Sequence, residues 1–279
     1  MTVLISALLA ILAVLCLFAF SCTLIFWYES LSSPEPRIPQ PQPGILICIF
    51  RYGRSLVSGL GCVILALLGP LLRKHINSPP GFASDLPPLV LIHGIYNNAG
   101  CWLYLARKLR QAGYPVSAFV YSSMEASPER IAADLDACLR TWEERPDSQK
   151  PVLICHSLGG LIARLWALEA GNQERVHGII TLATPHGGSK LAALGLGKLV
   201  KNIRPDSILM QTLEHAPAIT QYCAALAGPG DEAVLPPSAL LPPASWRFRL
   251  TASAGHFGML FHPQVAAALL AELDHIRSQ

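Results

Sequence analysis

The serine at position 157 sits where a nucleophile can be made. It lies in Cys155-His156-Ser157-Leu158-Gly159-Gly160, between an apolar run at 152–155 and an amphipathic one at 158–169. A serine on a sharp strand-to-helix turn is held out at the edge of the sheet, with the positive end of the helix behind it. Small residues two before and two after keep such a crowded turn possible. Gly159 fits, while Cys155 stands where a glycine is usual, so the turn must pack slightly differently. A serine hydroxyl also needs a base to take its proton and an acid to orient that base. Gly255-His256-Phe257-Gly258 and Gly228-Pro229-Gly230-Asp231-Glu232 each follow an expected strand, at the sheet edge where the serine turn emerges. His256 is thus the expected base and Asp231 the expected orienting acid, with Glu232 as the alternative acid.

Acyl transfer through a serine also needs two backbone N–H groups aimed at the developing oxyanion. Leu158, directly after the serine, is one expected donor. The other is expected from the loop His93-Gly94-Ile95-Tyr96-Asn97-Asn98, with Ile95 assigned by position and Gly94 letting the backbone turn close to the substrate. His93, His156 and His186 read as supporting rings in loops beside the site, and His262 as the start of the last helix. No His, Asp, Glu or Cys grouping has metal-ligand spacing, and the eight cysteines read as unpaired small hydrophobes rather than a disulfide framework.

The elements that must position these residues follow from the pattern after residue 86. Short apolar runs at 88–93, 116–121, 152–155, 176–182, 223–227 and 246–251 predict strands. Amphipathic stretches at 102–112, 128–145 and 158–169 predict helices, the second opened by Ser127 as N-cap with Pro128 in the first turn. Strands alternating with helices point to an α/β class with a mainly parallel sheet covered on both faces.

Ile92-His93-Gly94, His156-Ser157-Leu158-Gly159-Gly160, Leu182-Ala183-Thr184-Pro185-His186-Gly187-Gly188-Ser189 and Gly255-His256 together resemble the bacterial lipases of the α/β-hydrolase superfamily, in particular the triacylglycerol lipase group typified by Pseudomonas and Burkholderia enzymes. The resemblance covers roughly residues 86–276. It implies an α/β-hydrolase fold, carboxylic-ester hydrolysis through an acyl-enzyme, no cofactor, and a sheet that begins at what the family counts as its third strand. Besides Cys155, the chain departs from the group in its apolar N-terminus and in a short segment, 191–227, where the family's lid lies. That segment reads either as a small amphipathic cap or as ordinary packing on the sheet.

The chain has 279 residues, 52% of them hydrophobic and only 14% charged, with a formal net charge of +3. Residues 1–80 hold five basic and two acidic side chains and so carry all of that excess, while the remainder is balanced. Bulk charge therefore gives no support to nucleic-acid binding. No charged residue precedes Glu29, and Trp27 and Tyr28 close that first run, as a membrane-spanning helix would. A cleaved signal peptide is the alternative, without the basic region that usually precedes one. A proline-rich stretch at 31–44 reads as a linker. A second uncharged run at 55–72 reads as a second span, or as a helix lying in the membrane interface or packed on the catalytic domain. The charge flanks leave the topology open.

The domain organisation expected is a membrane-anchoring region at 1–80 followed by a catalytic domain at 81–279. The function expected is a serine esterase or lipase at a membrane, the bacterial inner membrane in the first instance, acting on an acyl ester or lipid. A transacylase, thioesterase or phospholipid deacylase would use the same triad. A non-catalytic hydrolase fold that binds a lipid or a partner is the reading from another class.

Overall fold

The computed structural model of the chain describes residues 2–32, 38, 44–78, 84–124, 127–144 and 149–278. Most of the proline-rich linker, and the Pro79-Pro80-Gly81 punctuation, lie outside them. Two long helices come first, α1 (Thr2–Ser32) and α2 (Ile45–Ile76). Then follow β1 (Leu89–Ile92), α3 (Leu103–Gln111), β2 (Val116–Phe119), α4 (Pro128–Glu143), β3 (Val152–His156), α5 (Leu158–Trp166), β4 (Gly178–Leu182), α6 (Ile208–Glu214), β5 (Tyr222–Ala227), β6 (Arg247–Leu250) and α7 (Pro263–Arg277).

The six strands form one parallel sheet in the order β2-β1-β3-β4-β5-β6. β1, β3 and β4 are buried throughout, because helices cover both faces and leave no room for a polar side. Successive side chains alternate between two cores. Leu89, Leu91 and Ile154 pack with α3 and α7, whereas Val90, Ile92 and Leu153 pack with α4, α5 and α6. The register pairs Ile92 with Cys155 and Cys155 with Thr181, so the loops after β1, β3 and β4 leave the same edge side by side. Among the described residues no strand precedes β1.

Local chemistry places the helix ends. The Ser127 hydroxyl accepts the N–H of Arg130 and Pro128 opens α4, as its sequence predicts. α5 is shorter than the amphipathic pattern. Beyond Trp166 the amides of Leu168 and Glu169 bond back three residues instead of four, which winds the last turn too tightly to continue. The segment 191–227, read either as a small cap or as packing on the sheet, is two short 3-10 turns (Lys190–Leu194 and Leu199–Ile203), α6 and, at its end, strand β5, which the apolar run at 223–227 predicts.

α2 is much longer than the uncharged run at 55–72 because Arg51, Arg54, Arg73 and Lys74 are all taken into the helix. Among the described residues one helical stretch, Leu46–Ile76, is long and apolar enough to cross a membrane. It also packs on the sheet domain. Gly100 lets the chain approach so closely that a β-carbon there would stand 2.1 Å from the Leu65 carbonyl oxygen. Beside it the Asn98 side chain donates to the carbonyl of Ala66 at 2.6 Å. α1 is held through the buried Glu29, whose carboxylate receives the Lys190 ammonium at 2.9 and 3.0 Å, and through Tyr52, whose hydroxyl donates to the carbonyl of Cys16.

Candidate active site

Ser157 occupies the turn between β3 and α5 with φ +53° and ψ −124°. A side chain rarely adopts that backbone conformation, so the surroundings must hold it. They do so from both sides. The Ser157 N–H donates to the carbonyl of Leu182 at 3.0 Å, and its carbonyl accepts the Thr184 hydroxyl at 2.9 Å. The glycine at 159 is required by space: a β-carbon would stand 2.4 Å from the Ile92 carbonyl oxygen and 2.8 Å from that of His93. Gly94 is under the same constraint, with 2.8 Å between its imagined β-carbon and that of Ser157. Cys155 is accommodated at the end of β3 with its side chain wholly buried in the second core.

The two loops after β5 and β6 bring Asp231 and His256 to this turn. The Ser157 Oγ stands 3.0 Å from His256 Nε2. The His256 Nδ1 donates to Asp231, 2.9 Å from Oδ2 and 3.1 Å from Oδ1. Asp231 is fixed in turn by the N–H groups of Ala233 and Val234, both donating to Oδ1. All three side chains are buried, Ser157 at 5%, His256 at 4% and Asp231 at 2% exposure. Burial of the imidazole opposes its charged form. The charge and hydrogen bond of Asp231, with the charge of Glu232 behind them, outweigh that and raise His256 above the ordinary imidazole range. Glu232 does not reach the His256 ring nitrogen. Its carboxylate instead accepts the His256 backbone N–H at 3.3 Å, and burial, with the adjacent Asp231 charge, raises its carboxyl above the usual range.

The expected oxyanion donors border the serine. Leu158 is the first residue of α5, and Ile95 lines the same cavity as Ser157 and His256. Among the described residues neither amide has an acceptor. By contrast, the N–H of Tyr96 is taken by the Ser123 hydroxyl, and that of Asn97 bonds the Gly94 carbonyl. A developing oxyanion needs two amides left free in this way.

Four further histidines, His93, His156, His186 and His262, are held by hydrogen bonds to their neighbours. His93 stacks on Tyr121 with ring centroids 4.1 Å apart, its Nδ1 meets the Gly94 carbonyl, and its Nε2 accepts the Tyr121 N–H. Burial pushes its pKa down to about 4. His156 donates from Nε2 to the His256 carbonyl at 3.2 Å, and burial followed by the nearby His256 ring holds it well below the usual range. His186 sits between the Thr181 hydroxyl and the Arg164 guanidinium, while His262 caps α7 by accepting the Gln264 N–H. Among the described residues no group of three or more His, Cys, Asp or Glu side chains is placed to hold a metal ion.

Of the three readings of the run at 55–72, packing on the catalytic domain is the one α2 shows in its contacts, and it goes further by bordering the site. The cavity over Ser157 measures about 490 Å³, and residues from Ser55 to Val63 of α2 form one of its walls. Arg51, one of the basic residues flanking the apolar run at 55–72, is buried. Its guanidinium donates to the carbonyl of Gly230 and lies 4.7 Å from the Phe26 ring centre and 5.5 Å from that of Trp27. The available signal was a pair of arginines inside an otherwise apolar helix, where a buried charge needs a partner.

Comparison with known proteins agrees with this architecture. Residues 87–204 match the family model described as the alpha/beta hydrolase fold. Methylesterase 3 of Arabidopsis thaliana is 31% identical over 80 residues, covering 26% of this chain and 30% of that protein. The probable esterase PIR7A of Oryza sativa subsp. indica is 29% identical over 123 residues, covering 42% of this chain and 46% of that protein. The chain thus spans about a third to a half of the length of the curated relatives it matches. Among solved structures, the mature Bacillus licheniformis lipase BlEst2 superposes with a TM-score of 0.58 at 19% identity, over 72% of this chain and 96% of that one. Est1E from Butyrivibrio proteoclasticus gives 0.53 at 15%, over 73% and 93%. The parallel sheet and the serine on the strand-to-helix turn give the chain an α/β-hydrolase fold, and residues 87–204 are similar to the family of that name.

Proposed function

We propose that this chain is a membrane-associated serine esterase or lipase that hydrolyses carboxylic esters of acyl lipids, with Ser157, His256 and Asp231 as its triad. The observation that carries the reading is the continuous hydrogen-bonded line from the Ser157 hydroxyl through His256 to Asp231. In the reaction His256 Nε2 takes the hydroxyl proton as Oγ bonds to the ester carbonyl carbon. The carbonyl oxygen becomes an oxyanion between the amides of Leu158 and Ile95. Collapse breaks the bond to the alcohol oxygen, which leaves with the proton from His256. Water, deprotonated by the same ring, then attacks the acyl-serine. The fatty acid departs and the proton returns to Ser157.

The names of the relatives support an ester substrate: methylesterases and a probable esterase among the curated proteins. The motifs at 92–94, 156–160, 182–189 and 255–256 and the apolar cavity wall support a triacylglycerol-lipase specificity. Residues 1–80 would then be the membrane-anchoring region and residues 81–279 the catalytic domain. Full-length protein should hydrolyse p-nitrophenyl acyl esters, and Ser157 should be labelled by a fluorophosphonate. Ser157→Ala should abolish both while leaving the melting curve in place. Hydrolysis persisting in Ser157→Ala would overturn the triad. A folded protein whose Ser157 takes no label and that hydrolyses no ester would point to a binding role instead.

A further inference from the structure

We propose that α2 is the acyl-binding wall of this site, and that the acyl chain of a bilayer lipid ester reaches Ser157 across it. This inference rests on the esterase reading for its chemistry, but on separate observations for its geometry. Ser55, Leu56, Gly59, Leu60, Cys62 and Val63 recur every three to four residues, so they lie on one face of α2, and all of them line the cavity that holds Ser157 and His256. A single polar side chain among six makes that wall suited to an alkyl chain and poorly suited to a charged substrate.

The same helix carries a second apolar face that nothing covers among the described residues. Leu46, Phe50, Val57, Leu67 and Leu71 are between 70% and 81% exposed. Exposed apolar area on that scale marks a surface meant for another apolar phase. The two faces are continuous. Val57, Leu60 and Val63 line the cavity and are also 73%, 45% and 46% exposed. The cavity therefore opens at α2 onto the apolar stripe. A lipid in a membrane lying against that stripe would present its acyl chain to the cavity without crossing water, and the ester carbonyl would follow to the serine.

Gly59 controls how much room the chain has. A β-carbon at Gly59 meets only the Phe257 ring, at 4.0 Å, so a larger side chain there fits the helix and projects bulk towards the cavity. Gly59→Phe should lower the ratio of kcat/KM on dodecanoate to that on butyrate esters by at least about tenfold, whereas Leu60→Ala should raise it. Ratios unchanged in both variants, with esters still hydrolysed, would overturn the proposal. Independently of turnover, Ser157→Ala should bind a fluorescent fatty acid, and Gly59→Phe in that background should weaken binding about tenfold. Should the protein hydrolyse nothing yet show that loss of binding, the esterase reading fails and the α2 site stands. A Leu67→Asp/Leu71→Asp variant, altered on the outer stripe away from the cavity, tests the route. It should lose at least about tenfold on a lipid ester held in phosphatidylcholine vesicles while its rate on soluble butyrate ester stays the same. Equal rates on vesicles would mean that the substrate comes from solution.

Discussion

The guanidinium of Arg51 donates to the carbonyl of Gly230, joining α2 to the loop that carries Asp231 across 179 residues of sequence. Gly230 is shaped for this contact. It has φ +76°, and a β-carbon on it would run into the Arg51 head group. Phe26 and Trp27 of α1 lie against the same guanidinium, so both N-terminal helices converge on the acid loop.

That convergence predicts a catalytic defect from a residue that touches no substrate. Arg51→Gln should loosen the loop that sets Asp231 against His256. Small misplacements of such groups cost up to about a hundredfold. The expected result is a fall in kcat of roughly ten- to a hundredfold with KM little changed, measured on a butyrate ester. An unaltered kcat would show that the acid loop holds itself without α2.

The pH dependence follows from the neighbours of His256. In the proposed mechanism the ring must be neutral to accept the serine proton, so kcat/KM should rise as pH climbs through its pKa. Because Asp231 and Glu232 raise that pKa, the acidic limb should lie above the ordinary imidazole value of 6.5. Asp231→Asn removes the larger raising charge and should move the limb to lower pH, with a loss in kcat of about ten-thousandfold as the ring tautomer is no longer enforced. Glu232→Gln should move the limb the same way by less, with a far smaller loss. A limb that does not move in Asp231→Asn would assign the orienting role elsewhere.

Much of this site could be read before any coordinates, for a local reason. The serine turn, the acid and the base each depend on a strand followed by a tight loop, and residues 152–160, 223–232 and 246–258 carry both signals within a dozen positions. Glu232 and Asp231 were not separable that way. Adjacent residues share every local signal, and only the tertiary register puts one carboxylate on Nδ1 and the other on the backbone N–H. The place of α2 stays open in the sequence for a related reason. Its apolar composition fits a lipid-facing helix and a cavity wall equally, and the contacts that decide, Arg51 with Gly230 and Asn98 with Ala66, join distant parts of the chain.

Gly159, two residues after Ser157, should prove intolerant of the smallest addition. A methyl group at Gly159 would press on the carbonyl oxygens of Ile92 and His93, which are backbone atoms in and beside a central strand and cannot swing aside. Overpacking of this kind costs about 1–3 kcal/mol. Gly159→Ala should therefore lower the melting temperature by about 2–4 °C per kcal/mol. It should also lower fluorophosphonate labelling, since relief comes by pushing the serine turn off β1. Normal melting and normal labelling together would mean that the sheet edge yields more easily than its hydrogen bonds suggest.

Buried neutral histidines make the fold sensitive to acid. His93 is held neutral, with its pKa pushed down to about 4 from an ordinary 6.5, by burial against Tyr121. Below pH 6.5 the unfolded chain binds a proton at this position that the folded chain refuses. Stability is therefore lost as pH falls from about 6.5 and levels off below about 4, and the loss from His93 alone is about 3 kcal/mol. His156 and His186 are shifted in the same direction and add to it. His256 is shifted upward and works against it, since its folded form gains the proton first. Thermal melts at fixed ionic strength should thus show a steep decline on acidification. His93→Gln cannot take up the proton in either state, so it should flatten that decline by up to about 1.4 kcal/mol per pH unit, even though it lowers the melting temperature at neutral pH by losing the ring stack. A decline as steep in His93→Gln as in the parent would assign the acid sensitivity to the other buried rings.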